Sequence, residues 1–303
     1  MAKRKTVPNP YDPPQDWVAF ENTATSARYP EVYHRRTLGA FEQFRQDAPN
    51  QVELSFSSGF RLQITAWTAA VWRIRYTRGA YDRLPSVALN PTIEPQNIQL
   101  KVQEEDGQCV ISSAAVAVKV NKTDGRLHFV NLANDETILA ETEAYQERYS
   151  ILGGTHHLRT SFAAEKDEVY YGLGDKSWDL NLRGRHFQNW NSDSFGYHKE
   201  QDPLYRTIPF YYGLKASGAY GIFFHNTGRT HFDFDSRKDG VTRMWSEVGE
   251  MDYFFCFGPE LDTVAQQYHY LTGTPELPPL WALGFHQCRW SYYPESRVRE
   301  LAT

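Results

Sequence analysis

Between about Val52 and Phe257 the chain alternates apolar and polar residues in short runs, the period-two signature of strands buried on one face. The clearest run is Ala70–Thr77. Val71, Arg73, Arg75 and Thr77 fall on one face, and Trp72, Ile74 and Tyr76 on the other. Phe60–Trp67 alternates in part, and Val110–Val120 reads as one long strand with Val116, Val118 and Val120 in register. Asp124–Gly125 then precedes Arg126–Leu132, and a tight Asp-Gly turn between two such runs predicts a hairpin. Asn134–Asp135 marks a second turn before Thr137–Ala140. Further strands are predicted at Val169–Tyr171, Pro209–Leu214, Tyr220–His225, Thr230–Phe234 and Met251–Phe257. Short turns without intervening helices point to an antiparallel β-sandwich, in which each sheet hides one face.

The period changes at Gly258–Pro259. Pro259 suits the first position of a helix, and Leu261, Val264, Tyr268 and Leu271 form one apolar stripe at helical spacing. Gly273 is a natural stop, and Pro275, Pro278 and Pro279 make a stiff linker. The nearly continuous apolar run Leu280–Phe285 predicts a strand buried on both faces, as in a parallel sheet. Pro294 then opens a helical stretch, Glu295–Ala302. Such a strand–loop–helix is one unit of an α/β layer and cannot bury itself. At the other end, Pro8, Pro10, Pro13 and Pro14 deny regular structure to the opening stretch. The expected organisation is an irregular lead-in over 1–40, a β-sandwich over 41–274, and the start of a second domain over 275–303.

Composition narrows the function. At 303 residues the chain suits one large domain or two ordinary ones. Its aromatic share of 15% is high, which fits both strand filling and stacking on sugar faces. A net charge of −5 with no basic stripe argues against nucleic acid as a partner. No apolar run is long enough to span a bilayer, so no membrane partner is expected, and Met1–Gln15 lacks the apolar core of a secretory signal. Cys109, Cys256 and Cys288 fit neither a zinc pattern nor a disulfide framework. They read as buried free thiols, which favours a reducing, cytoplasmic location. His156, His157, His186, His198 and His231 show no ligand spacing, so no metal site is expected. Gly172 and Gly174 read as a tight turn rather than a dinucleotide loop, because no βαβ unit follows. Glu165, Asp167 and Glu168 read as a solvated face.

Five segments, taken in order, resemble glycoside hydrolase family 31, the family of α-glucosidases and α-xylosidases. They are Tyr171-Gly-Leu-Gly-Asp175; Asn189-Trp-Asn-Ser-Asp-Ser194; Pro203-Leu-Tyr-Arg-Thr-Ile-Pro-Phe-Tyr211; Tyr220-Gly-Ile-Phe-Phe-His-Asn226; and the stretch from Phe257-Gly-Pro-Glu-Leu to Pro278-Pro-Leu-Trp-Ala-Leu-Gly-Phe-His-Gln-Cys-Arg-Trp290. The last is the most specific. The resemblance covers about residues 50–303 and implies a galactose-mutarotase-like sandwich followed by the first β/α unit of a (β/α)8 barrel. It also implies retaining hydrolysis of α-linked oligosaccharides by two barrel aspartates, with no metal or organic cofactor. Those aspartates would lie beyond Thr303, in a C-terminal barrel that is the chain's implied partner. Trp178-Asp-Leu-Asn181 looks like the nucleophile segment but has the wrong spacing and lies in the β region. No catalytic residue is therefore assigned within the chain, and the chain alone is expected to be inactive.

The resemblance carries two substrate contacts onto this sequence. Asp193 matches an aspartate on a sandwich loop that reaches sugar hydroxyls; a carboxylate can accept two such hydrogen bonds. Its alternative reading is a turn cap within Asn-Ser-Asp-Ser. Trp290 matches an aromatic at the C-terminal end of the first barrel strand, where barrel sites are built. Its alternative is packing against the sandwich. Trp190 and Phe195 are expected to support the loop. Besides the glycosidase reading, a free-standing carbohydrate-binding module and a structural domain without a sugar role stay open.

Overall fold

The computed structural model describes residues 33–81, 86–150, 156–287 and 292–302. The alternating runs become two antiparallel sheets. In chain order the strands begin with β1 (Tyr33–Thr37), β2 (Phe41–Ala48), β3 (Gln51–Phe56), β4 (Arg61–Ala66), β5 (Val71–Thr77) and β6 (Lys101–Glu105). They continue with β7 (Gln108–Ser112), β8 (Val116–Asn121), β9 (Leu127–Asn131), β10 (Glu136–Ser150), β11 (His156–Ala163) and β12 (Val169–Gly174). The last are β13 (Arg185–Asn189), β14 (Thr207–Lys215), β15 (Gly218–Phe224), β16 (Thr230–Phe234), β17 (Val241–Ser246) and β18 (Met251–Gly258). One sheet runs β13-β16-β17-β11-β10-β9-β8-β7-β6, with β1 also on β10; the other runs β12-β14-β15-β18-β5-β4-β3-β2.

The two inner faces meet in an aromatic core. From one sheet, Tyr76 of β5 stacks at 4.4 Å on Tyr145 of β10, and Phe255 of β18 stacks at 4.2 Å on Phe129 of β9. Trp72 and Ile74 are buried beside them, so the predicted inner face of β5 is the observed one. Its other face carries charge: Arg73 and Arg75 pair with Asp252 and Glu250 at the start of β18. Further along that outer face lies α1 (Leu261–Thr272). Val264 and Leu271 are buried there against Val71, Phe210, Phe223 and Phe254. The helix ends at Gly273, whose φ of +83° suits a glycine after a helix C-terminus. The Asp124–Gly125 hairpin forms between β8 and β9, with Gly125 at φ +79°.

Several expectations need correction. Of the lead-in over 1–40, residues 1–32 lie outside the described residues, but Tyr33–Thr37 is a strand rather than irregular chain, because β10 is long enough to offer it an edge. Val110–Val120 is a hairpin rather than one strand. Ser113 Oγ accepts the N–H groups of Ala115 and Val116 at 3.2 and 3.1 Å and closes a turn that apolar periodicity hides. Glu168 is not solvated: it is 1% exposed, with Tyr220 Oη donating to it at 2.6 Å. Cys109 and Cys256 are buried free thiols, while Cys288 lies outside the described residues.

The chain divides into two compact units at Thr272/Gly273. In the second, Leu280–Leu283 is a 3-10 helix, not the predicted strand. A parallel strand needs neighbours to take its ladder bonds, and none among the described residues pairs with this segment. Local bonds close instead, Ala282 N–H to Pro279 O at 2.9 Å and Gly284 N–H to Trp281 O at 3.3 Å. The helical stretch after Pro294 forms as α2 (Glu295–Leu301). No helix among the described residues is long and apolar enough to cross a membrane.

Candidate substrate-facing loop

The loop from Trp190 to Arg206 joins β13 to β14, and Asp193 stands exposed on it. Residues on both sides of Asp193 are fastened. Asn191 Oδ1 accepts Thr207 N–H at 3.0 Å and Thr207 Oγ1–H at 2.8 Å. Ser192 N–H donates to Leu204 O at 3.0 Å. Ser194 is buried, and its carbonyl accepts the hydroxyl of Tyr205. Among the described residues nothing hydrogen-bonds the Asp193 carboxylate, so the turn-cap alternative finds no bond here. Asn191 does the capping. The carboxylate is left with its acceptor capacity facing solvent.

Beneath the loop lies a buried ion pair. Lys176 Nζ donates to Asp202 Oδ1 and to Gln188 O, both at 2.7 Å. Burial lowers the Lys176 pKa, and the Asp202 carboxylate pulls it back. Asp202 also accepts Gln188 N–H, so one carboxylate ties the loop's return to β13. The Tyr171–Asp175 segment clamps the far end. Arg206 grips Asp175 bidentately at 3.0 and 2.9 Å. Gly172, Leu173 and Gly174 all have positive φ, at 122°, 68° and 80°. A Cβ on Gly174 would lie 2.6 Å from Arg206 O, and one on Gly172 2.5 Å from Phe210 O. The glycines therefore permit the close approach that seats the loop. Two motifs separate in sequence, Tyr171–Asp175 and Asn189–Tyr211, meet here.

The loop that carries Asp193 also carries aromatic side chains. Trp190 is half-exposed, with the Arg229 guanidinium 4.9 Å over its ring. Phe195 is 85% exposed, and Tyr197 and Tyr205 meet edge to face at 6.1 Å. The loop offers an exposed carboxylate acceptor and exposed rings, chemistry that suits a polyhydroxylated ligand. Trp290, the other predicted contact, lies outside the described residues. Trp178–Asn181 is a structural loop: Asn181 Oδ1 accepts the N–H groups of Tyr170 and Arg183 at 3.1 Å each. His186, partly buried, and His231, fully buried, stand 3.1 Å apart between ring nitrogens and stack with Trp245. Burial holds both imidazoles below their ordinary pKa. Sequence reading missed Lys176, Asp202 and Arg206, whose pairings span 26 and 31 residues and leave no local signal.

Comparison with known proteins gives this geometry its context. Residues 61–233, over half of the chain, match the glycosyl hydrolase 31 N-terminal galactose mutarotase-like domain. The chain belongs to glycoside hydrolase family 31. Residues 275–303 match the family 31 TIM-barrel domain, so the chain holds the N-terminal domain and only the start of the catalytic barrel. Alpha-glucosidase 2 of Bacillus thermoamyloliquefaciens is 34% identical over 236 residues, covering 76% of this chain and 29% of that protein. An alpha-glucosidase of Saccharolobus solfataricus is 35% identical over 134 residues, covering 44% of this chain and 19% of its own length. Among solved structures, a family 31 dextranase of Flavobacterium johnsoniae, complexed with isomaltotriose, superposes with a TM-score of 0.77 at 30% identity, covering 88% of this chain and 32% of that one. An alpha-xylosidase from a soil metagenome, complexed with xylose, gives 0.70 at 25% identity, covering 86% of this chain and 39% of that one. The chain thus spans less than a third of the two alpha-glucosidases.

Proposed function

We propose that the whole protein is a retaining, exo-acting α-glucosidase-like hydrolase of α-linked glucosides, and that this chain supplies its sandwich and the opening of its barrel. One observation carries the reading: the two family 31 domains follow each other in the expected order along the chain, at 61–233 and 275–303. The reaction takes two carboxylates, one attacking the anomeric carbon and one serving as acid and then base. Neither is assigned to residues 1–303, so the chain by itself cleaves no glycoside. Its own contribution is contact with the sugar. Asp193 accepts hydroxyl hydrogen bonds from a loop fastened on both sides, and Trp290 offers a ring face.

Two measurements test this. The 303-residue chain should leave p-nitrophenyl α-glucoside uncleaved; turnover abolished by a substitution within 1–303 would overturn the division of labour. In the protein carrying its complete barrel, Asp193→Asn should raise KM roughly tenfold, the loss expected for one charged hydrogen bond. An unchanged KM would remove Asp193 from the site. Saturable, tight binding of maltose by the 303-residue chain would favour a free-standing carbohydrate-binding module instead.

A further inference from the structure

The turn Ser86–Leu89 carries a second grouping of reactive side chains. Ser86 Oγ stands 2.5 Å from His225 Nε2, and His225 Nδ1 stands 2.9 Å from Asp252 Oδ2. Hydroxyl, imidazole and carboxylate form one hydrogen-bonded line, assembled from residues 139 and 27 positions apart. Acyl-transfer enzymes on unrelated folds place nucleophile, base and orienting carboxylate in this order.

The surroundings suit those roles. Asp252 is 3% exposed, and Arg73 grips both its oxygens at 2.9 and 2.6 Å. Burial favours its neutral form, but the hydrogen bonds and charge of Arg73, with His225, bring its pKa down to about 2. It therefore stays ionised and can only accept. It takes the Nδ1–H of His225 and leaves the Nε2 lone pair for the Ser86 hydroxyl. Arg73 Nη2 lies 3.5 Å from the same Nδ1. The carboxylate is closer, at 2.9 Å. Ser86 Oγ also accepts the N–H groups of Ala88 and Leu89, each at 3.2 Å. These donors favour negative charge at Oγ. Ser86 is half-buried, and Val87 and Ala88 beside it are exposed.

We propose that Ser86, His225 and Asp252 form an acyl-transfer site that hydrolyses short-chain carboxylic esters. Ser86 Oγ bonds to the acyl carbon as its proton passes to His225 Nε2, and the carbonyl π electrons move to oxygen. Collapse of the tetrahedral intermediate breaks the bond to the alkoxy group, which leaves as the alcohol with that proton. Water then attacks the acyl-serine, giving a proton to His225 that returns to Ser86 as the acid departs. Ester and water become acid and alcohol, with no other reactant.

The test is labelling of the full chain with diisopropyl fluorophosphate, read by intact mass and peptide mapping, alongside hydrolysis of p-nitrophenyl acetate. One adduct on Ser86 is expected. Labelling should slow about 100-fold in His225→Gln, the usual contribution of a general base. Ester hydrolysis above the buffer rate should vanish in Ser86→Ala, with the folded state of both variants checked by circular dichroism. No adduct on Ser86 of the folded wild-type chain overturns the proposal, whatever the variants do. So does labelling of a folded His225→Gln as fast as wild type, or ester hydrolysis unchanged in Ser86→Ala.

Discussion

Glu141 sits where β10 leaves β9 and joins β11, at shifts in the strand register. It is 2% exposed and accepts Leu127 N–H at 2.8 Å and Thr160 Oγ1–H at 2.6 Å. Burial pushes its pKa up to about 8, against the pull of those two bonds. The folded protein therefore holds a proton that the unfolded chain releases near the ordinary carboxylate range. This contribution to stability is complete below about 4.5 and declines as pH rises to about 8, at no more than about 1.4 kcal/mol per pH unit. Glu141→Gln keeps the shape without the titration. Urea denaturation at pH 5 and pH 8 should show the variant gaining stability relative to wild type at the higher pH. An equal difference at both would mean that Glu141 does not titrate between them. Nothing in the sequence around Glu141 signals this burial, because it follows from a bend in a strand 15 residues long.

At the scale of elements, α1 shows how a stripe becomes a contact. Leu271 is fully buried in the cluster that α1 forms on the outer face of the eight-stranded sheet. Leu271→Ala should cost about 2–5 kcal/mol by loss of transfer energy and creation of a cavity, measurable as a lower urea midpoint. A change under about 0.5 kcal/mol, the usual range of a surface substitution, would mean that α1 packs only loosely on the sheet. This helix was legible because its apolar spacing and its closing glycine agree, although it opens at Leu261, two residues after the predicted Pro259. The Asp124–Gly125 hairpin was legible for the same reason. Leu280–Phe285 was misread because a continuous apolar run has no period of its own; whether it extends or coils depends on strands alongside. The Asp193 loop lies between these cases. Its motif marked the place, but the supports Lys176, Asp202 and Arg206 come together only when β12, β13 and β14 assemble.

Across the whole chain, the second unit exposes Leu277, Leu280, Trp281, Leu283 and Phe285, each more than half uncovered. Apolar side chains so close together promote self-association. Light scattering of the 303-residue chain should show mass rising with concentration, while a chain ending at Thr272 should scatter as a monomer. Matching behaviour of the two would clear these residues of that role.

The sequence by itself determined the strand-rich character, the turn at Asp124–Gly125, the inner face of β5 and the family, since each rests on local periodicity or on contiguous motifs. Only the tertiary structure decided which strands share a sheet, that Glu168 and Glu141 are buried, that Asp193 stands exposed between fastened neighbours, and that Ser86, His225 and Asp252 align. Those outcomes depend on contacts between residues far apart in the chain, and a side chain's surroundings there are set by which strands pair rather than by its neighbours in sequence.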